Sequence, residues 1–274
     1  MTETGQHVVD TLIEERAPRL MTRPRLWSAT RAVAYPLLGY RKAVGLADTI
    51  APMGGEEALD WVRGFLDLDV RTSGLEAIPE RGGCVVMANH PGGIADGVAV
   101  WDALRARRPD LCYFANRDAL RVCPGLEDVV LPVDWRKDTR SRERSRETVR
   151  AALTAFQQER CVVIFPAGRM AEWNWRRWRL TEKPWQVTAI SFARRFGFPV
   201  IPMGVTQRMP FLYYALAQMS EELKDMTVFH GFMGKKRARY RLSFGEAIDP
   251  KTLPASEAEA TETVRLACEK LAWD

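Results

Sequence analysis

His90 and Asp96 are the two residues of this chain whose types and spacing most directly allow proton chemistry. They bracket a turn-forming stretch in the run Asn89-His90-Pro91-Gly92-Gly93-Ile94-Ala95-Asp96. On an ideal helix the pair would lie about 600° apart, about 240° round the axis, and could not touch. They meet only if the chain folds back between them, and a proline followed by two glycines suits such a turn. A carboxylate beside a histidine holds its tautomer and stabilises the imidazolium formed when the ring takes a proton, which is the equipment of a general base. The plainer alternatives are a loop histidine satisfied by backbone groups and an Asp96 that caps a helix starting at Gly97. The capping role does not exclude contact with the histidine. The other two histidines, His7 and His230, have no evident partner in the sequence.

Arg169 closes the run Val163-Ile164-Phe165-Pro166-Ala167-Gly168-Arg169. An apolar strand precedes it, so the guanidinium is expected at the same sheet edge as His90, where it can grip a phosphate or carboxylate through two parallel hydrogen bonds. The plainer reading is a surface arginine paired with a neighbour such as Glu172. Backbone N–H groups near Gly92, Gly93 or Gly168 are candidate donors to a developing oxyanion.

The elements that must carry these residues follow from hydrophobic patterning. Short apolar runs at 70–74, 83–88, 111–115, 129–133, 161–165, 200–205 and 239–244 alternate with amphipathic stretches at 97–107, 141–159, 185–196, 211–224 and 256–272. Valine-rich strands that read as buried on both faces, alternating with helices, predict an α/β fold: a largely parallel sheet of about seven strands covered by helices. Helical segments at 7–16, ended by Pro18, at 23–43 and at 56–68 precede it, so the expected division is an N-terminal helical segment, 1–69, and an α/β body, 70–274. The 23–43 stretch, with cations at both ends and Leu, Trp and Tyr between, suits an interfacial helix broken or kinked at Pro36 that lies on anionic lipid; packing on its own domain is the equal alternative.

With 274 residues, 46% hydrophobic and 27% charged, the chain can bury a full core and is not disordered. Its net charge of +5 suits an anionic ligand or membrane surface without demanding one. Five cysteines without C-x-x-C spacing fit a reduced, cytoplasmic compartment and no metal site. The first residues lack a signal-peptide layout, and no uncharged run reaches the ~18 residues needed to span a bilayer. Trp173-Asn174-Trp175-Arg176-Arg177-Trp178-Arg179 crowds indoles and cations in a way that suits the headgroup zone, nucleotide stacking or core packing. The basic run 235–241 enters an apparent strand with its cations outward and carries no nucleic-acid motif, so no nucleic-acid partner is expected.

Taken together, Asn89-His90-(five residues)-Asp96 resembles the Asn-His-(four residues)-Asp block of the phospholipid and glycerol acyltransferase family, which includes 1-acylglycerol-3-phosphate and lyso-aminolipid O-acyltransferases. Phe165-Pro-Ala-Gly-Arg169 resembles that family's Phe-Pro-Glu-Gly-Thr-Arg block, with Ala167 where a Glu is usual and the Thr missing. Val200-Ile-Pro-Met-Gly-Val205 resembles its late strand motif, and Val130-Leu-Pro-Val-Asp134-Trp-Arg136 its strand ending in Ile-Asp-Arg. The resemblance implies an O-acyltransferase in which His90, oriented by Asp96, deprotonates a lyso-lipid hydroxyl for attack on the thioester of acyl-CoA or an acyl-carrier protein. No other cofactor is implied. Arg169 and Arg136 would hold the acceptor's anionic head, with Asn89, Gly92, Gly93 and Gly168 completing the substrate-binding set. Lysophosphatidate is the default acceptor, and the altered arginine block leaves open a lyso-aminolipid with a carboxylate. The expected location is the inner face of the cell membrane, peripherally attached. A non-catalytic membrane-binding module of the same fold and a thioesterase are the alternatives.

Overall fold

The computed structural model describes residues 5–134 and 141–273. Seven strands form the central sheet: β1 (Asp69–Ser73), β2 (Cys84–Ala88), β3 (Cys112–Asn116), β4 (Val130–Val133), β5 (Cys161–Ile164), β8 (Val200–Thr206) and β9 (Arg239–Phe244). β6 (Glu172–Asn174) and β7 (Arg179–Thr181) make a separate antiparallel hairpin. The sheet order is β1-β9-β8-β2-β5-β3-β4. β8, β2, β5, β3 and β4 run parallel, whereas β9 is antiparallel to β8 and carries β1 alongside in its own direction.

Strand periodicity divides the core into two layers. On β2, Cys84, Val86 and Ala88 face the layer formed with helices Gly55–Leu66 and Ile94–Leu104. Val85 and Met87 face the layer under helices Arg142–Gln157, Thr188–Phe196 and Glu257–Trp273. Burial on both faces explains the unbroken apolar runs. Helix Gly55–Leu66, grouped by sequence with the N-terminal segment, lies in the first of these cores through Ala58, Val62 and Leu66.

Several boundaries differ from the sequence expectation. Pro36 sits inside helix Pro24–Leu37 without breaking it, and the break falls at Gly39, which adopts φ 74°. The helix after the His90 loop begins at Ile94, so Asp96 lies in its first turn and does not cap it. The β6–β7 hairpin was not foreseen.

This topology positions the site. β8, β2 and β5 are adjacent and parallel, so the loops after Thr206, Ala88 and Ile164 leave from one rim. Because β9 is reversed, its starting end, Arg239-Tyr240-Arg241, lies at that same rim beside Thr206.

Candidate active site

The glycine turn closes as the chemistry requires. His90 Nδ1 lies 3.0 Å from Asp96 Oδ2, and the same oxygen accepts the Gly92 N–H at 2.8 Å. Asp96 is fully buried, whereas the His90 side chain keeps 19% of its surface exposed. An acceptor carboxylate at Nδ1 assigns the ring proton to that nitrogen and leaves Nε2 as the basic atom. The imidazole stacks on Phe165, with centroids 4.4 Å apart, so its tilt is fixed by the neighbouring loop as well as by Asp96.

Two glycines are required for different reasons. A Cβ on Gly92 would fall 2.2 Å from Asp96 Oδ1 and 2.6 Å from the Tyr240 hydroxyl, so a side chain there would displace the carboxylate. Gly93 takes φ 75°, ψ −149°, a backbone region essentially reserved for glycine. Its missing Cβ leaves room for the sulfurs of Met170 and Met209.

The remaining expected residues fall into distinct roles. Asn89 bonds the backbone of Val205 on β8 with both amide atoms, Nδ2 to O at 2.9 Å and Val205 N to Oδ1 at 2.7 Å. Its side chain thus continues the sheet ladder by one step and pins the start of the loop. The N–H groups of Gly92 and Gly168 are engaged internally, with Asp96 and with the Phe165 carbonyl at 3.0 Å, which removes both as oxyanion donors. The Gly93 N–H has no acceptor among the described residues and stands where helix Ile94–Leu104 begins. The Arg169 loop is tied to the histidine loop by the Ala171 N–H, which donates to the His90 carbonyl at 2.9 Å. Arg169 itself lies 3.5 Å from Glu221, in place of the nearer-sequence partner Glu172. Burial works against the Glu221 charge, but the Lys224 hydrogen bond and the charges of Lys224, Lys183 and Arg169 outweigh it and hold the carboxyl below its ordinary value. Arg136 lies outside the described residues.

Three residues of the site were not legible as such. Glu182 accepts the His90 backbone N–H at 2.6 Å and the Trp185 indole N–H at 2.8 Å. Ala167, at the position where the resembling block carries a Glu, packs in the core with Trp185. Burial, reinforced by the Asp96 charge, pushes the Glu182 carboxyl up from its ordinary 4.5 despite its two hydrogen bonds and the influence of His90. Tyr240 is buried with its hydroxyl near Asp96 Oδ1; both atoms are enclosed, and neither makes a hydrogen bond among the described residues. Burial and the Asp96 carboxylate hold that phenol protonated, so it keeps an O–H in the neighbourhood of the second carboxylate oxygen. Lys235, expected to point outward, is turned in, bonds the Arg208 carbonyl and is lowered to about 8 by burial, with the Asp96 charge opposing.

A cleft of about 230 Å³ adjoins the loop at Asn89 and Pro91, with Arg177, Arg179 and Arg265 on its walls. It is smaller than the roughly 300 Å³ and upward of small-molecule sites, and its positive charge is largely offset, because Arg179 and Arg265 both pair with Glu269, which lines the cleft together with Glu182.

Over nearly its whole length the chain shares the fold of the 1-acyl-sn-glycerophosphate (LPA) acyltransferase PlsC from Thermotoga maritima. The TM-score is 0.52 with 16% identity, covering 95% of this chain and 93% of that one. The Acyltransferase family model matches residues 69–206, half of the sequence, and the chain belongs to that family. It is also similar to two proteins named lyso-glycine lipid O-acyltransferase. The one from Phocaeicola vulgatus is 25% identical over 169 residues, 62% of this chain and 58% of the relative. The one from Bacteroides thetaiotaomicron is 24% identical over 214 residues, 75% of each. The chain thus spans little more than half the length of the first relative.

Two outcomes follow from this geometry. Tyr240→Phe removes the donor facing Asp96 Oδ1 and is expected to lower turnover about three- to tenfold with little change in KM, read by steady-state kinetics; equal turnover would contradict the arrangement. For Glu182, a native carboxyl that holds its proton more tightly than the unfolded chain adds stability below pH 4.5 and loses it as pH climbs through the raised native value. Urea unfolding across that range should therefore show wild type losing ground to Glu182→Gln as pH rises. A difference that stays constant with pH would refute the assignment.

Proposed function

We propose that the chain is an O-acyltransferase that moves a fatty acyl group from a thioester donor, acyl-CoA or acyl-carrier protein, to the hydroxyl of a lyso-lipid. The observation that carries this reading is the 3.0 Å contact between His90 Nδ1 and the buried Asp96 carboxylate, which leaves Nε2 to take a proton. The acceptor O–H gives its proton to Nε2 as its oxygen attacks the thioester carbonyl carbon. The tetrahedral oxyanion then collapses, the C–S bond breaks, and the leaving thiolate recovers the proton from His90. Oxyanion stabilisation is assigned to the Gly93 N–H and the positive end of helix Ile94–Leu104. No acyl-enzyme is needed, and no G-x-S-x-G elbow is present to form one.

The favoured acceptor is a lyso-aminolipid bearing a carboxylate, with lysophosphatidate second. Three features support that order: the altered 165–169 block, an Arg169 already partly neutralised by Glu221, and the names of the two relatives. A single carboxylate demands less positive charge than a phosphate. The proposed setting is the surface of an anionic membrane, on its inner face. Among the described residues no helix is long and apolar enough to cross a membrane, in keeping with peripheral attachment. A catalytically silent module of the same fold would be favoured by a separated His–Asp pair, and this pair is in contact.

Purified protein incubated with labelled acyl-CoA or acyl-carrier protein and each acceptor tests the reading. Wild type should acylate the lyso-aminolipid, and His90→Ala should lose about 10²–10⁴-fold of that rate. Equal product from both proteins with every acceptor would refute acyl transfer by His90. Fatty acid released without an acceptor would point to a thioesterase.

A further inference from the structure

The turn of the β6–β7 hairpin, residues 175–178, displays two indoles at the surface. Trp178 is 70% exposed and Trp175 39% exposed, and Phe211 at the start of helix Phe211–Ala217 is 73% exposed. Trp175 meets Trp178 edge-on at 5.7 Å and Phe211 at 6.5 Å, so the three form one patch. Trp178 also takes φ 52°, a left-handed conformation that a bulky side chain adopts at a cost. The turn is held there by Asn174, whose Oδ1 accepts the backbone N–H groups of Arg176 and Arg177, both at 3.0 Å. The left-handed turn leaves most of the Trp178 indole facing solvent, beside the rings of Trp173 and Trp175.

We propose that this hairpin turn and the adjoining Phe211 form the surface that docks on an anionic bilayer. The inference rests on the lipid reading above and names the face through which it operates. Arg176 and Arg177 stand between the two indoles, and aromatic rings interleaved with cations match an interface that is apolar below and negatively charged above. The patch is also joined to the catalytic loop. Trp173 touches Trp175 and Trp178 on one side and Tyr214 on the other, at 6.1, 5.8 and 6.3 Å. Tyr214 packs in one apolar cluster with Met209 and Met170, the two methionines that fill the space beside Gly93. The Trp173 indole N–H is enclosed along this path with no acceptor among the described residues.

The experiment is vesicle co-sedimentation of the full chain with phosphatidylcholine alone and with phosphatidylcholine mixed with phosphatidylglycerol. Turnover on detergent-dispersed substrates is measured in parallel, and thermal unfolding verifies each variant's fold. Wild type should bind the mixed vesicles about tenfold more tightly than the neutral ones. Trp175→Ser combined with Trp178→Ser and Phe211→Ser should lose about tenfold of that binding, with turnover in detergent retained. Arg176→Glu should remove the preference for phosphatidylglycerol. The proposal is overturned if the triple variant binds like wild type, or if wild type binds neither vesicle but forms a complex with acyl-carrier protein through these residues. It is equally overturned if binding is lost only on changing Leu26, Val33 and Leu37 of helix Pro24–Leu37. If the triple variant loses vesicle binding while His90→Ala keeps full turnover, the docking face stands and the acyl-transfer reading falls. The reverse pair of results removes the docking face alone.

Discussion

The Asp96 carboxylate sits in the interior with no exposed surface, and one of its oxygens is shared between the imidazole of His90 and the N–H of Gly92. Burying an ionised carboxylate is unfavourable unless hydrogen bonds and neighbouring charge compensate it. That requirement shapes everything around the site. The chain must reverse between His90 and Asp96, Gly92 must lack a side chain, and Gly93 must adopt a backbone that other residues resist. The interaction that orients the base is thus also the one that holds the loop closed.

Around this pair the sheet provides a rigid frame. Asn89 extends the β2–β8 ladder past the end of the strand, Phe165 stacks on the imidazole from the end of β5, and Glu182 grips the His90 backbone from a segment beyond the hairpin. The reversal of β9 brings Tyr240 to the same rim, where its hydroxyl faces the carboxylate oxygen that the histidine does not use. Each support comes from a different element, so the geometry is set by tertiary structure and does not depend on the glycine turn alone. A site built this way is preorganised, which is what electrostatic stabilisation of a transition state demands.

Much of this was legible in the sequence, for identifiable reasons. The central strands β2, β4, β5 and β8 were legible because their apolar runs are buried on nearly every residue, and the His90–Asp96 contact because a proline and two glycines allow the chain to fold back between them. What escaped depends on partners distant along the chain. Glu182 acts on a backbone atom 92 residues earlier, and its Thr-Glu-Lys-Pro surroundings carry no periodic signal. Asn89 reads as part of a substrate-facing block until Val205 is seen to occupy both of its polar atoms, and Arg169 finds Glu221 52 residues away where Glu172 was nearer to hand. The hairpin was hidden because three-residue strands rich in Trp and Arg show neither alternation nor an apolar run. Tyr240 had a faint signal, an inward position in a strand whose alternate residues are arginines, but nothing local pointed it at Asp96.

Asp96→Asn tests the dependence on that buried carboxylate most directly, because an amide keeps the shape while removing the negative charge that stabilises the imidazolium and replacing one of the two acceptor oxygens with a donor. Single-turnover acyl transfer by this variant is expected to fall about 10³–10⁴-fold with substrate affinity little changed. A rate within about tenfold of wild type would contradict the role assigned to the pair.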